Sequence, residues 1–381
     1  MKHQDIVPRL LVWFAQNARP LPWRRTRDPY AIWVSEIMLQ QTRVKTVLPY
    51  WERWMRALPN LTALAKAKPH TLHKLWEGLG YYTRVRNLQR AAQLIVAQHG
   101  GRFPRDFEDV LALPGVGRYT AGAICSIAFN QPRPILDGNV IRVLTRCYGI
   151  RGNPRERRVN AQLWRLAEEL VQGAAKLSVR TITSPDASRI THHASRPCAQ
   201  LNESLMELGA LVCAPRQPRC AVCPIAKFCA AYQQGRIHEL PSLSPRIRAM
   251  PRRFVAFIAQ KRGRFLVRQR PAGSVNAHLW EFPNVELTPV DSDLQHAVRK
   301  ALGVRPERLE LFATIKHSIT RYRINLEAYR VPSRQAARIP SAKGHWLGWS
   351  RLNQRAFTSA HKQILQRLGS ERPFTPPAGW P

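Results

Sequence analysis

Two carboxylates, Glu36 and Asp137, lie in sequence surroundings suited to cleavage of a glycosidic bond. Glu36 belongs to the stretch SEIMLQQT, where helical spacing places Trp33 and Gln40 on its face, and burial there would raise its pKa. Asp137 belongs to ILDGNV, among apolar and small residues. A protonated carboxylic acid can protonate a leaving group while an ionised carboxylate stabilises an oxocarbenium-like sugar. The alternative is a surface glutamate and an aspartate that only caps the next helix.

A glycine-containing turn lies between these two acids along the chain. The sequence LPGVGRYTAGA at 113–123 places Gly115 and Gly117 between two predicted helices. Such a turn exposes backbone N–H groups at a helix N-terminus, where they can bind a phosphate without a side chain. The pattern is typical of a helix-hairpin-helix motif, and a simple tight turn between two helices is the alternative.

Four of the seven cysteines lie in one short stretch, with the spacing Cys213-x6-Cys220-x2-Cys223-x5-Cys229. In a reducing compartment such a group indicates a metal site rather than disulfides. Zinc usually binds two well-separated pairs, so this staggered run favours a [4Fe-4S] cluster over zinc or free thiols. Arg216 and Arg219 lie between the ligands and predict a basic loop that contacts the DNA backbone, with solvated surface charge as the alternative.

The charge of the chain indicates a polyanionic partner. Its 381 residues include 60 Lys and Arg against 24 Asp and Glu, a formal net charge of +36. This excess favours nucleic acid, while a ribosomal or membrane-surface protein would have a similar composition. The apolar runs are shorter than the roughly 18 residues that cross a bilayer, and the first eight residues carry no apolar signal segment. We therefore expect a soluble intracellular protein without a membrane anchor.

The elements that must position these residues divide the chain into two parts. Residues 1–172 are predicted to be helical, and Asp28 followed by Pro29 marks the start of one helix. Predicted helices span 29–47, 71–76, 84–98, 107–112, 120–129 and 160–171. Residues 173–200 lack periodicity and predict an irregular insert, which is a DNA-contacting arm, a disordered insert or a local frame error.

A linker is predicted at 236–252, where Pro, Ser and Arg dominate. Beyond it, 254–260 and 264–268 predict a β-hairpin, 294–301 a helix and 322–331 a further strand. This mixture predicts an α+β module.

Several stretches together closely resemble the MutY-type adenine DNA glycosylases, over nearly all of residues 5–235. They are LPW at 21–23, SEIMLQQT at 35–42, GLGYYTRVRNL at 78–88, LPGVGRYTAGAI at 113–124, ILDGNVIRV at 135–143 and the four-cysteine loop. The resemblance implies an all-α helix-hairpin-helix glycosylase domain with a [4Fe-4S] loop at 1–235. It also implies double-stranded DNA as the substrate, with adenine removed opposite 8-oxoguanine or guanine.

The resemblance also implies roles for individual residues. Glu36 matches the acid that protonates the extruded adenine at N7, and Asp137 matches the carboxylate that stabilises the sugar cation and assists water. Tyr119 and Asn139 match supporting residues that position these two groups. These roles agree with the chemistry expected of the two carboxylates.

Two further residues, Gln41 and Tyr81, match those that wedge into the base stack as the nucleotide flips. They could instead be an exposed amide and a core aromatic. The runner-up family is the endonuclease III type, which cuts the strand through a Schiff-base lysine. That lysine would occupy the position of Tyr119, and a phenol cannot form an imine, so a monofunctional hydrolytic glycosylase is favoured.

The C-terminal part, 253–370, resembles the MutT-like (Nudix) domain of the same enzymes through RFLVRQRP and LWEFPN. The stretch AVRKALGV at 297–304 lacks the glutamates of the hydrolytic family, so this domain should bind rather than hydrolyse. The family reads 8-oxoguanine through a Phe-Ser-His loop, which is Ile319-Thr320-Arg321 here. Thr320 keeps a hydroxyl and Arg321 replaces the imidazole, which puts discrimination between 8-oxoguanine and guanine in question.

We therefore expect a two-domain, monomeric base excision repair enzyme that works with intracellular DNA. A non-enzymatic DNA-binding or redox-signalling protein on the same scaffold is the alternative from another class. Such a protein would have no need of Glu36 and Asp137.

Overall fold

The computed structural model describes residues 2–177, 196–244, 248–288, 293–305, 308–319 and 321–371. The chain divides into two compact units, one of Met1–Lys66 with Arg86–Pro245 and one of Ala67–Val85 with Arg246–Pro381. Within the described ranges, no helix is both long and apolar enough to cross a membrane. The domain limits predicted from the sequence, 1–235, 236–252 and 253–370, stay predictions.

The first part of the chain is helical, as predicted. Its helices are α1 (Lys2–Asn17), α2 (Pro29–Leu39), α3 (Val44–Ala57), α4 (Leu61–Lys66), α5 (Pro69–Leu75), α6 (Thr83–Gln98), α7 (Phe107–Leu111), α8 (Arg118–Phe129), α9 (Gly138–Tyr148), α10 (Arg157–Ala175), α11 (Pro197–Leu211) and α12 (Ala230–Gln233). A buried apolar core includes Leu10 of α1, Leu163 of α10 and Leu208 of α11. Helix α5 belongs to the second unit.

Helix α2 begins where the sequence predicts and ends earlier. The Asp28 side chain accepts a hydrogen bond from the Tyr30 N–H, and Pro29 occupies the first helical position. The helix ends at Leu39, and α3 begins at Val44, so the single helix predicted up to position 47 is wrong. Gln41 adopts a left-handed backbone with φ of 56°, which a continuing helix does not allow.

The turn between α7 and α8 has the predicted helix-hairpin-helix form. Gly115 has φ of +78°, and a Cβ atom there would lie 2.7 Å from the Cβ of Asn87. Both the backbone conformation and this close approach require glycine. Gly117 is the N-cap of α8, so the glycine turn leads directly into the first turn of that helix.

The irregular insert predicted at 173–200 is narrower than expected, because both of its ends are helical. Helix α10 continues to Ala175 with Val171 and Ala174 buried, and α11 begins with Pro197 at its first position. Residues 178–195 lie outside the described residues.

The second unit contains the predicted α+β fold. Its strands are β1 (Met250–Lys261), β2 (Arg264–Gln269), β3 (Trp280–Glu281), β4 (Asn284–Leu287), β5 (Glu310–Ile319), β6 (Tyr322–Val331) and β7 (His345–Gly348), and its helices are α5, α13 (Leu294–Leu302), α14 (Ser333–Ala336), α15 (Trp349–Asn353) and α16 (Ser359–Ser370). The sheet order is β3-β2-β1-β6-β5, with β4 paired to β1 and β7 paired to β2. Strands β1 and β6 are parallel, while β1 and β2 form the predicted antiparallel hairpin.

Strand β1 is buried on both faces of this sheet. Ala256 and Ile258 pack in a core with Leu365 of α16, whereas Val255 and Phe257 pack in a second core with other buried residues. Because side chains alternate along a strand, one apolar run serves both cores. Helices therefore cover the sheet on two sides.

Candidate active site

A cavity of about 800 Å³ lies within the first unit. It is lined by parts of α2, α8 and α11 and by the start of α9. Glu36, Tyr119 and Asp137, which the sequence analysis singled out, all line it, together with Gln41 and Asn139. The fold thus brings together residues up to about a hundred positions apart in the chain.

Glu36 is a buried carboxyl group with one phenol partner. Its side chain is on α2, the residue is 5% exposed, and the Tyr119 hydroxyl donates a hydrogen bond to Glu36 Oε2 at 2.7 Å. Burial raises the pKa of Glu36 to about 7, and the charge of Asp137 adds to this rise, while the bond from Tyr119 opposes it. Glu36 can therefore carry a proton near neutral pH.

Asp137 is the N-cap of α9, and it accepts hydrogen bonds that favour its ionised form. Its Oδ1 accepts a hydrogen bond from the Val140 N–H at 2.7 Å, and its Oδ2 accepts one from Asn139 Nδ2 at 2.9 Å. Burial raises the pKa of Asp137, and these donors oppose the rise. The N-terminus of a helix also stabilises a negative charge.

Asn139 is held in turn by a guanidinium group. Arg142 Nη2 donates to Asn139 Oδ1 at 2.8 Å, and Arg142 Nε donates to the carbonyl oxygen of Cys213 at 2.7 Å. A Cβ atom at Gly209 would lie 2.6 Å from the Cβ of Asn139, so α11 approaches α9 closely at this glycine. These contacts connect the cavity to the start of the cysteine loop.

Tyr119 comes from the first turn of α8, directly after the glycine turn. Its hydroxyl also lies 3.4 Å from Met206 Sδ. Burial raises the pKa of Tyr119 well above its ordinary value, so the phenol stays neutral and acts as a donor. Lys45 also lines the cavity, and it is exposed.

Sequence reasoning missed an acidic pair on α11. Glu203 lines the cavity, and Arg24 Nε lies 3.3 Å from Glu203 Oε1. Burial raises the pKa of Glu203, whereas at Glu207 hydrogen bonds from Arg19 and Arg24 overcome burial and lower the pKa to about 2. The signal was present in LNESLMELG, because acids four positions apart share one face of a helix.

The predicted DNA-contacting residues lie at exposed turns. Gln41 is exposed at the cavity, and Gly115 and Gly117 are exposed in the hairpin. Tyr81 belongs to the second unit, where it is 46% exposed and has φ of 49°. Arg216 is exposed, and Arg219 donates to the Leu211 carbonyl oxygen at 2.8 Å.

The four cysteines of the loop act on one another electrostatically. Burial, together with the charges of the other three thiols, raises the pKa of Cys223 to about 12. The buried Arg146 lies with Nη1 3.4 Å from Cys213 Sγ and donates to the Ala214 carbonyl oxygen at 2.8 Å. Among the residues that the structure describes, no three His, Cys, Asp or Glu side chains are grouped to hold a single metal ion.

The predicted lesion-contacting residues lie at the turn between β5 and β6. Ile319 ends β5, Thr320 lies outside the described residues, and Arg321 is exposed. Arg321 Nη2 donates to the Tyr322 hydroxyl at 3.0 Å, so its guanidinium group is oriented by the first side chain of β6. Helix α13, which covers much of AVRKALGV, contains no acidic residue.

Known proteins resemble both parts of the chain. Residues 34–169 match the HhH-GPD superfamily of base excision DNA repair proteins, and residues 254–367 match the NUDIX domain. The adenine DNA glycosylase of Mus musculus is 35% identical over 96% of this chain and 78% of its own length. That of Homo sapiens is 33% identical over 96% of this chain and 74% of its own length. A solved thermostable thymine-DNA glycosylase is 30% identical with a TM-score of 0.51, covering 61% of this chain and 98% of its own.

Proposed function

Because the chain belongs to the adenine DNA glycosylases of the HhH-GPD base excision repair superfamily, we propose that it hydrolyses the N-glycosidic bond of adenine mispaired with 8-oxoguanine or guanine. Family membership makes it a DNA-binding glycosylase that removes adenine. The observation that carries the proposed hydrolysis is one cavity containing Glu36, whose pKa is raised to about 7, and Asp137, a carboxylate with two N–H donors.

The proposed first step is proton transfer from Glu36 to N7 of the extruded adenine. The Tyr119 hydroxyl donates to Oε2, which leaves Oε1 to carry the proton. A pKa of about 7 keeps a large share of Glu36 protonated at neutral pH, while the group remains acidic enough to transfer the proton. Protonated adenine then leaves with the electrons of the glycosidic bond.

Asp137 is proposed to stabilise the positive charge that develops on the sugar. Its hydrogen bonds from Val140 and Asn139 hold both carboxylate oxygens in place before the reaction begins. The same carboxylate can accept a proton from the attacking water, which completes hydrolysis. In this proposal Glu36 acts as the general acid and Asp137 as the general base.

The nucleotide must leave the duplex to reach this cavity. A cavity of about 800 Å³ has room for a purine nucleotide, and Glu203 offers a further hydrogen-bonding carboxyl group to the base edge. Unstacking costs a few kcal/mol, and Gln41 and Tyr81 are proposed to fill the gap. The exposed backbone at Gly115 and Gly117 is proposed to bind a phosphate.

The Nudix-like part is proposed to bind the strand opposite the adenine without hydrolysing a pyrophosphate. The absence of acidic residues from α13 supports this, because hydrolysis would need carboxylates for magnesium. Arg321 and Thr320 are the proposed contacts with the opposite base or its phosphate. Since Arg321 is an exposed cation held near Tyr322, phosphate contact and base contact are both chemically suited to it.

A [4Fe-4S] cluster is the proposed cofactor. The four partly exposed thiols of this one loop match the number of ligands that such a cluster needs, and the Arg146 guanidinium near Cys213 Sγ would stabilise a thiolate there. When bound, the cluster would cross-link the loop and so hold Arg216 in place near the DNA backbone. A brown purified protein absorbing near ~400 nm supports the cluster, and a colourless one contradicts it.

The reaction is proposed to be hydrolytic without strand cleavage. Tyr119 offers a phenol at the position where the lyase family has its lysine, and a phenol cannot form an imine. Lys45 is the amine that lines the cavity, so borohydride trapping on abasic DNA tests it. We expect no trapped complex, and a complex lost in Lys45→Ala would contradict monofunctionality.

Adenine release from duplexes with A opposite 8-oxoguanine, guanine or cytosine tests the proposed function. We expect release opposite 8-oxoguanine and guanine and little opposite cytosine. Equal release from all three would contradict the mispair specificity, and no release would contradict the function. We expect a monomer that works with intracellular DNA, and sedimentation of the purified protein checks the monomer.

A further inference from the structure

Segment 67–85 carries Tyr81, and hydrogen bonds between its own residues stabilise it. The Trp76 indole N–H donates to the Gly80 carbonyl oxygen at 3.0 Å, and Arg84 Nη2 donates to the carbonyl oxygens of Leu79 and Gly80 at 3.0 and 3.2 Å. Arg84 also lies 5.5 Å from the centre of the Tyr81 ring. Tyr81 therefore stands exposed on a turn whose backbone is held by its neighbours.

Glu77 attaches this turn to the C-terminal part of the second unit. Its Oε1 accepts a hydrogen bond from the Phe357 N–H at 2.8 Å, and its Oε2 lies 3.1 Å from Lys362 Nζ and 2.8 Å from Lys74 Nζ. Lys74 in addition donates to the Arg355 carbonyl oxygen at 3.1 Å. One carboxylate thus gathers a backbone donor and two ammonium groups, and such charge-assisted bonds are the stronger kind.

The partner of Glu77 is itself fixed in the sheet core. The Phe357 ring is fully buried, and the flanking backbone exchanges hydrogen bonds with Trp280: the Trp280 N–H donates to Ala356, and the Thr358 N–H donates to Trp280, at 2.8 and 3.1 Å. Lys362 is on α16, which packs on that core. Glu77 lies four residues before Tyr81 in the chain. It therefore connects the turn that carries Tyr81 to one of the most buried parts of the C-terminal fold.

We propose that Glu77 is a positioning residue that holds Tyr81 in register with the Nudix-like sheet through the Phe357 N–H and Lys362. This rests on the proposed function only in taking Tyr81 as the side chain that enters the base stack. Without Glu77, Phe357 loses its acceptor and the ammonium groups of Lys74 and Lys362 lose their carboxylate. The turn then samples more orientations, and fewer of them present Tyr81 to DNA.

Hydrogen exchange of the free full-length protein is the first test, and it needs no substrate. Glu77→Ala should speed amide exchange about tenfold in 71–85 and 355–358, because a charge-assisted bond of this kind is worth at least that factor. Exchange in the paired strands β1 and β6, which belong to the same unit as Glu77, should not change, which verifies that this unit is folded in the variant. Unchanged exchange in 71–85 would overturn the proposal.

Glu239→Ala is the matched control for this test. Arg236 and Glu239 form an ion pair with the same three-residue spacing as Lys74 and Glu77, but the Glu239 side chain is exposed and its pair is local. Its loss should leave exchange in 71–85 unchanged. Glu77→Gln keeps an acceptor for the Phe357 N–H and loses the charge, so it should fall between wild type and Glu77→Ala.

A double-mutant cycle separates positioning from general stabilisation. Glu77→Ala should weaken binding to a duplex carrying a non-cleavable adenine analogue opposite 8-oxoguanine by about tenfold. In a Tyr81→Ala background the same change should have no further effect, because its consequence passes through Tyr81. If the fold-losses in binding caused by the two single substitutions instead multiply in the double variant, the two residues act independently. Glu77 would then have a merely structural role.

The outcome for Glu77 can be distinguished from the outcome for the proposed function. A wild-type protein that releases no adenine would remove the glycosylase assignment, while the exchange result would still decide whether Glu77 holds the turn. Conversely, normal adenine release with unchanged exchange in Glu77→Ala would leave the glycosylase proposal intact and remove this one.

Discussion

Two buried glutamates in different units, Glu36 and Glu281, have opposite electrostatic surroundings. They are 5% and 4% exposed. Glu36 accepts a hydrogen bond from a neutral phenol, and burial raises its pKa to about 7. Glu281 is equally buried, but His361, Arg270 and Arg268 together lower its pKa despite burial, and Arg268 and Arg270 lie 3.0 and 2.5 Å from its oxygens.

The difference shows that burial raises the pKa of a carboxyl group and that its cationic partners decide whether this rise is overcome. On α11, hydrogen bonds from Arg19 and Arg24 overcome burial at Glu207 and lower its pKa to about 2, whereas at Glu203, which Arg24 contacts at one oxygen, burial still raises the pKa. A buried carboxyl group with a cation at each of its two oxygens stays ionised and has a structural role. A neutral donor on one oxygen leaves a group that can hold and release a proton.

The largest expected effect is on catalysis at Glu36. Glu36→Gln should slow adenine release by about 1,000-fold, because the amide cannot transfer a proton. Binding to an A:8-oxoguanine duplex should be retained, since glutamine still accepts the Tyr119 hydrogen bond. Single-turnover release and equilibrium binding measure the two effects.

Glu281→Gln is the matched control, the same substitution at the other buried glutamate. It should leave single-turnover release within a fewfold of wild type. Release by Glu36→Gln at the wild-type rate would exclude Glu36 as the acid.

Glu36→Gln and Glu281→Gln should change the free energy of unfolding in opposite directions. The folded protein disfavours ionised Glu36, so stability is lost as pH rises from the unfolded pKa of 4.5 toward about 7. Glu36→Gln should therefore raise the free energy of unfolding by about 3 kcal/mol at pH 8. Glu281→Gln should lower it by about 3 kcal/mol, near the low end for a broken buried ion pair, because both arginines are partly exposed.

Urea unfolding at pH 8 measures these changes in the free energy of unfolding. Hydrogen exchange assigns each unfolding transition to one of the two units. At pH 4.5 the gain from Glu36→Gln should be largely absent, because wild-type Glu36 is then protonated in the folded state. A loss of stability for both variants at pH 8 would contradict the contrast between the two sites.

Asp137 allows a third test, because it differs from Glu36 in having two N–H donors. Asp137→Asn should slow adenine release by about 100-fold, since a neutral amide stabilises the sugar cation poorly. The asparagine oxygen can still accept from the Val140 N–H, so the start of α9 should stay intact by circular dichroism. A variant with normal release would mean that another group stabilises the cation.

How much of this could be predicted from the sequence depends on the range of the contacts. The cap at Asp137, the helical face of Glu36 and the Gly115 turn follow from local patterns, because each is set within a few residues, whereas the catalytic roles predicted for the two acids came from the family resemblance. The end of α2 at Leu39 was missed, since the apolar pattern continues past the left-handed Gln41.

The partners that set charge could not be predicted in the same way. Arg24 meets Glu203 across 179 positions of chain, and Glu77 meets Phe357 across 280. Such pairs depend on tertiary packing, which no local period encodes. The grouping of Ala67–Val85 with the C-terminal fold is of the same kind.

The smallest expected effect, and the most direct comparison of the two carboxyl groups of the cavity, is the pH dependence of release. Glu36 must be protonated, so the rate should fall about tenfold for each pH unit above about 7. Asp137 must be ionised, so the rate should also fall on the acid side, through a pKa raised above its ordinary 3.8. The residual release of Glu36→Gln should lose the alkaline fall and keep the acid one, because only Asp137 still titrates. If the alkaline fall persists in that variant, the proton comes from another group, and the raised pKa of Glu36 reflects its burial alone.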